Sequence, residues 1–201
     1  MLTTPSDTDA WDARKLEASF ADLKTRWELG KIIRPGGVAV ELGVANGGFS
    51  ETLLKKTNIS YLYSIDMYAD KKHTVEEYCA VIKRLMPYRE RNAILKLRFD
   101  QALAVFEDET FDFIYVDGYA SGGEEDGKTF EDWWPKLKPG AVMGGHDYDS
   151  NWPLVIQSVD RFVAKHNLDL FTVGGTKDRE DDYNRFASWF VVKPQAAAEA
   201  A

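Results

Sequence analysis

Two hydrophobic rhythms alternate along the chain. Between Trp11 and Ile33, the apolar residues Leu16, Phe20, Leu23, Trp27 and Ile32 recur at spacings near three or four, the period of an amphipathic helix. Pro35-Gly36-Gly37 stops that pattern, because proline lacks an amide donor and glycine weakens a helix. VAVELG, from Val38, is a short apolar run between turn signals and predicts a buried strand. The same succession then repeats. Gly48 to Lys56 predicts a helix with Phe49, Leu53 and Leu54 on one side, and YLYSID, Tyr61 to Asp66, a second strand. Thr74 to Pro87 predicts a helix, ILKLRFD a third strand, ALAVFED a short helix and FDFIYVDG, Phe111 to Gly118, a fourth strand. TFEDWWPKL predicts a helix that ends before Lys138-Pro139-Gly140, followed by a fifth strand in AVMGGHDY, Ala141 to Tyr148. Leu154 to His166 is a further helix. LDLFTVGG and ASWFVVK are the last strands, joined by the charged stretch TKDREDDYNRF.

Short strands alternating with helices predict a parallel α/β sheet, and the last two strands, with no helix between them, a hairpin at one edge. No repeat or linker divides the chain. Residues 1–194 are expected to form one domain with an N-terminal helix, and the tail 195–201, QAAAEAA, to be disordered. Charge narrows the partners. With 33 acidic residues against 25 basic ones, the net charge of -8 opposes a general nucleic-acid surface, which needs a basic field. MLTTPSDTDAWDARK lacks the apolar core of a secretory signal, and no apolar run approaches the ~20 residues of a membrane span. The single cysteine, Cys79, cannot form an internal disulfide, so a reducing, cytoplasmic setting is expected. Its helical spacing among apolar neighbours predicts a small buried hydrophobe.

Candidate chemistry gathers at the carboxyl ends of the strands, where ligands bind in open α/β sheets. Glu41, Asp66, Asp100, Asp117 and Asp147 all fall at predicted strand tips. Glu41 is followed by Gly43-Val44-Ala45-Asn46-Gly47. The glycines let backbone approach a ligand, but the spacing is not G-x-G-x-x-G, and an acid at the tip repels phosphate. The turn suits an ammonium group or donating hydroxyls. Asp66, one βα unit later, stands where an acid accepts ribose hydroxyls. A ligand with an amino-acid end, a ribose and an adenine fits this order, and S-adenosylmethionine is such a ligand.

VAVELGVANGGFSETLL, YSIDMY, FDFIYVDG and LKPGAVMGGHDY, in that order, resemble the successive motifs of class I S-adenosylmethionine-dependent methyltransferases. WWPKLKPGAVMGGHDY is similar to small-molecule O-methyltransferases, many of which modify sugars or natural products. The resemblance implies a Rossmann-like, seven-stranded, mostly parallel sheet of order 3-2-1-4-5-7-6, strand 7 antiparallel, with helices on both faces. It implies methyl transfer from S-adenosylmethionine to a hydroxyl of a small acceptor. Glu41, Gly43, Val44, Asn46 and Gly47 would surround the methionine part of the cofactor, Asp66 the ribose, Met67 or Tyr68 the adenine face, and Asp100 and Gln101 the adenine edge. Asp117 and His146 would be the catalytic pair.

Two carboxylates on adjacent strand ends repel and call for a cation or a shared proton between them. In similar enzymes the acid after strand four and an acidic pair after strand five hold a divalent cation, which makes Asp117, His146 and Asp147 candidate ligands for Mg2+ or Mn2+. Histidine in that pair departs from an all-oxygen site. It could ligate a softer metal, act as a general base, or only fix the turn. A second departure is Ala120, which stands where many similar proteins have a histidine. The segment Ser121 to Lys128, rich in glycine and acid, could be a lid, a source of ligands in Glu124, Glu125 or Asp126, or a solvated loop. Trp152 is placed to line an acceptor pocket, and Trp11 and Trp27 could cover a second subunit. The alternatives are an NAD(P)-dependent oxidoreductase, against which the missing middle glycine counts, and a non-catalytic relic that kept the cofactor pocket.

Overall fold

A computed structural model describes residues 11–16, 20–175 and 184–195. Its strands are β1 (Val38–Leu42), β2 (Tyr61–Asp66), β3 (Asn92–Lys96), β4 (Phe111–Val116), β5 (Leu137–Gly145), β6 (Phe171–Gly174) and β7 (Ala187–Val192). They form one sheet of order β3-β2-β1-β4-β5-β7-β6. The first five pair in parallel, and β7 runs antiparallel to both β5 and β6. This is the predicted order and sense.

The strands read as nearly continuous apolar runs because both faces of the sheet are covered. Alternate residues serve opposite faces. Ala39, Phe113 and Tyr115 join Phe49, Leu53 and Leu54 of α1 (Gly48–Lys56) and Val81 and Leu85 of α2 (Val75–Leu85). Val40, Leu42, Ile114 and Val116 join Phe130 and Trp133 of α4 (Lys128–Trp133) and Val155, Val159 and Phe162 of α5 (Pro153–His166). The short α3 (Phe99–Ala102) follows β3. Trp133 is fully buried while its neighbour Trp134 is half-buried, as adjacent helical positions require.

Four expectations are corrected. The helix expected from Trp11 to Ile33 is not continuous. Short 3-10 helices run over Ala13–Leu16 and Arg26–Ile32, and Thr25 between them is extended at φ -142° and ψ 155°. Glu28 causes the break, since its carboxylate reaches back to accept the amides of Lys24 and Thr25 at 2.8 and 3.1 Å. Cys79 is exposed, because α2 turns Val81 and Leu85 inward instead. β5 begins at Leu137, four residues early. A register shift opposite Phe111 and Phe113 absorbs Pro139-Gly140, and the strand ends before His146. Finally, the segment after β4 is no solvated loop. Gly123 to Gly127 coil left-handed, with φ of 59°, 55°, 54°, 62° and 82°, a conformation costing ~1–2 kcal/mol for each non-glycine residue. Buried Glu124 holds it by accepting the amide of Tyr119 at 2.9 Å. Burial pushes its carboxyl up to about 7, against the amides of Tyr119 and Gly118, which favour the ionised form. Most of TKDREDDYNRF and the tail at 196–201 lie outside the described residues.

Candidate active site

β1 is flanked by β2 on one side and β4 on the other, so the order of the chain reverses there and a crevice opens above the strand ends. The ladder continues past the strands and fixes what stands in that crevice. The amide of Asp117 donates to Leu42 O at 2.7 Å, that of His146 to Val116 O at 3.0 Å, and that of Gly43 to Ile65 O at 2.9 Å. Gly43 has φ +93°, and a Cβ there would overlap the carbonyl oxygen of Asp117. Only glycine lets the two tips meet.

A cavity of about 610 Å³ lies over this point, lined by Glu41, Gly43, Val44, Asn46, Asp117, His146, Asp147 and others. Its size suits a small organic ligand. A second cavity of about 140 Å³ is walled by several of the same residues and extends to Asp66, Met67, Arg98 and Phe99. Gly47, Asp100 and Gln101, expected at the cofactor, line neither cavity. Gly47 caps α1 at φ 78°. Asp100 pairs with Arg98 at 2.7 Å on the exposed side of α3, and the Gln101 side chain accepts the amide of Arg98 at 3.1 Å.

The acids at the strand tips have different surroundings. Asp66 Oδ2 accepts the amides of Val44 and Ala45 at 2.9 and 3.0 Å, and Oδ1 that of Tyr68 at 3.1 Å. Of roughly four acceptor positions on a carboxylate, three serve the glycine turn and its neighbour. Glu41 is buried beneath the turn and accepts from Ser50 Oγ, which also meets Ser64 Oγ at 2.7 Å. Burial pushes Glu41 up to about 8, although Ser50 and Arg26 favour its ionised form.

Asp117, His146 and Asp147 offer atoms within 4.8 Å of one another. His146 Nδ1 is 3.0 Å from Asp147 Oδ1 and 3.8 Å from Asp117 Oδ1. Burial alone would lower the His146 pKa, but Asp117 and Asp147 outweigh it and hold it above the ordinary value. Asp147 sits in the left-handed region at φ 61°. One nitrogen and two oxygens form a mixed donor set that a borderline divalent ion can use. However, the other oxygen of Asp117 is already engaged. Arg26 Nη1 donates to Asp117 Oδ2 at 2.8 Å. The sequence reading missed Arg26. It is buried, its guanidinium lies 4.9 and 5.0 Å from the ring centres of Trp27 and Phe49, and its amide donates to Asn184 Oδ1 at 3.1 Å. Around the imidazole the wall is aromatic. Phe186 stands 6.4 Å from His146 and 6.0 Å from Trp152 between ring centres, and Trp152 lines the cavity as expected. Asp70, Lys72, His73 and Glu125 line it too.

Sheet order and a strand-end site of this kind define the class I S-adenosylmethionine-dependent methyltransferase fold. A family model described as "Methyltransferase domain" matches residues 40–148, and the chain belongs to that family. No curated protein matches the chain. Solved structures are similar in fold. A Corynebacterium glutamicum protein shares 14% identity with a TM-score of 0.61, over 96% of this chain and 94% of its own. An rRNA methylase from Streptococcus thermophilus shares 11% with a TM-score of 0.59, over 97% and 99%. An S-adenosylmethionine-dependent O-methyltransferase from Thermotoga maritima shares 14% with a TM-score of 0.58, over 99% and 69%. No helix among the described residues is long and apolar enough to cross a membrane.

Proposed function

We propose that the protein transfers the methyl group of S-adenosylmethionine to a hydroxyl of a small molecule, with His146 as the base. The observation that carries this reading is the convergence of Asp117, His146 and Asp147 at one end of a cavity whose floor is the Glu41–Gly43 turn. Two features of that floor support the cofactor: Gly43 lets the tips of β1 and β4 meet there, and Glu41 lines the cavity with a carboxyl that can accept from an ammonium. S-adenosylmethionine supplies an electrophilic methyl on a sulfonium, which leaves as a neutral thioether.

The chain's own groups have to orient the acceptor and take its proton. His146 Nδ1 is 3.0 Å from Asp147 Oδ1, which favours the tautomer protonated on Nδ1, whose basic lone pair is on Nε2. The imidazole accepts the hydroxyl proton as the new carbon–oxygen bond forms and the carbon–sulfur bond breaks. Asp117, close to the same imidazole, favours the imidazolium that results. Trp152 and Phe186 give the acceptor an apolar wall. Acidic groups at the cavity, including Asp70, Glu125 and Asp147, together with the net charge of -8, favour a small acceptor over RNA.

Calorimetry with S-adenosylmethionine, followed by radiolabelled methyl transfer to phenols, sugars and ribosomal RNA with and without chelator, tests the reading. Binding and transfer to a hydroxyl compound are expected. Failure of folded protein to bind the cofactor removes the proposal, and binding without transfer to any acceptor favours the relic.

A further inference from the structure

The trio Asp117, His146 and Asp147 has the makings of a divalent-cation site, yet the same wall already holds a permanent positive charge. Arg26 Nη1 lies 2.8 Å from Asp117 Oδ2, and an arginine does not give up its proton in a protein. We propose that Arg26 is the resident cation of this cluster and occupies the electrostatic place of a divalent ion, so that the chemistry proceeds without a metal. The inference rests on the proposed reading of Asp117 and His146 as the reacting end.

Three observations support it. First, the guanidinium is built into its position. It is buried against Trp27, Phe49 and Tyr115, at 4.9, 5.0 and 5.8 Å from their ring centres. Its main chain is tied by Arg26 N–H to Asn184 Oδ1 at 3.1 Å, and Leu29 and Ile32 of the same 3-10 helix are in the core. A surface arginine could swing aside for an ion, whereas this one is packed in place.

Second, each carboxylate already has a nitrogen partner from this chain. Arg26 Nη1 lies 2.8 Å from Asp117 Oδ2, and His146 Nδ1 lies 3.0 Å from Asp147 Oδ1. The repulsion between two acids on neighbouring strand ends is therefore met by side chains, and a divalent ion added beside a buried guanidinium would meet like charge in a partly buried place, which is costly.

Third, the donors are engaged in hydrogen bonds. Asp117 Oδ2 accepts from Arg26, and His146 Nδ1 is within hydrogen-bond distance of Asp147 Oδ1. An ion would have to take the nitrogen lone pair and sit a few ångströms from a guanidinium that repels it.

Mn2+ is the probe, followed on the full-length protein by the electron paramagnetic resonance signal of the free ion. Wild type is expected to bind it weakly. Arg26→Gln and Arg26→Met, which remove the charge, should bind it at least about tenfold more tightly. Arg26→Lys, which keeps the charge, should behave as wild type. Adding Asp117→Asn to Arg26→Gln should abolish the gained site. Two uncharged variants guard against one failing to fold, and thermal melting confirms that each is folded. If neither folded variant gains at least that factor over wild type, the inference is overturned. S-adenosylmethionine binding to wild type, measured in parallel, separates the two claims. Its loss would remove the proposed function, while the Mn2+ result judges Arg26 alone.

Discussion

Asp66 and Asp117 occupy equivalent stations at the carboxyl ends of two parallel strands, and they do different work. Asp66 points its oxygens at backbone amides of Val44, Ala45 and Tyr68. It clasps the glycine turn and shapes the floor from below. Asp117 stands beside a guanidinium at 2.8 Å and an imidazole at 3.8 Å. The difference lies in what each tip meets: neighbouring turns satisfy the first acid locally, while the second is partnered by side chains from distant parts of the chain. An acid at a strand tip is therefore a position, and its partners decide its role.

The sharpest way to break the contrast is Asp117→Asn. Turnover in the methyl-transfer assay should fall about 10^3-fold while cofactor affinity stays within a few-fold. Urea denaturation should show a loss of about 3 kcal/mol, because buried Arg26 loses its counter-charge. Wild-type turnover in this variant would remove Asp117 from the mechanism. Gly43→Ala attacks the point where the tips meet. Its side chain collides with the backbone of Asp117 at φ +93°, and a loss of about 3 kcal/mol in the same denaturation experiment is expected; a neutral result would mean the tips can separate.

Glu41 sharpens the comparison through pH. Its folded pKa of about 8 is raised above the ordinary carboxyl value, so the folded protein holds the proton more tightly than the unfolded chain. The associated stability is complete at pH values below the unfolded pKa and disappears as pH rises through about 8. Wild type should lose about 2 kcal/mol relative to Glu41→Gln between pH 6 and pH 8, read from paired urea curves. Parallel curves for the two proteins would show that Glu41 does not titrate there. Asp66→Asn is expected to cost about 1–2 kcal/mol, since the new amide turns an NH2 toward donors that need an acceptor. It should weaken cofactor binding in calorimetry more than it slows turnover, and the opposite split would assign Asp66 to the chemistry. Least of all, Asp100→Ala should change cofactor affinity and stability hardly at all, because its partner Arg98 is exposed with it. A large loss of affinity would return Asp100 to the cofactor site.

Much of the sheet was legible in the chain. FDFIYV reads as strand because a strand covered on both faces is mostly apolar; all six residues are buried, and Asp112, the polar one, is paired with Lys138 and the amide of Val38. The turn after Glu41 was legible as a place of close approach, but the sequence set a ligand against its glycines, whereas Gly43 meets the carbonyl of Asp117. Strand order came with the resemblance, since periodicity says nothing of neighbours. Other features could not be read. Leu16, Phe20, Leu23 and Trp27 keep a helical spacing, yet the reach of Glu28 to the amides before it breaks the helix at Thr25. Arg26 looks like any polar residue beside a tryptophan. Its partner is 91 positions away, and no local pattern carries that distance. The left-handed coil at 123–127 was hidden for a similar reason, because only the buried anchoring of Glu124 makes it tenable.

The aromatic wall has a consequence of its own. Trp152 follows β5 and Phe186 precedes β7, so both belong to connecting segments. His146 and Asp147 share the first of these connections, and Asn184, which accepts the amide of Arg26, shares the second. The aromatic wall and the charged cluster beside it are thus mounted on common parts, and a graft of either connection would carry both along.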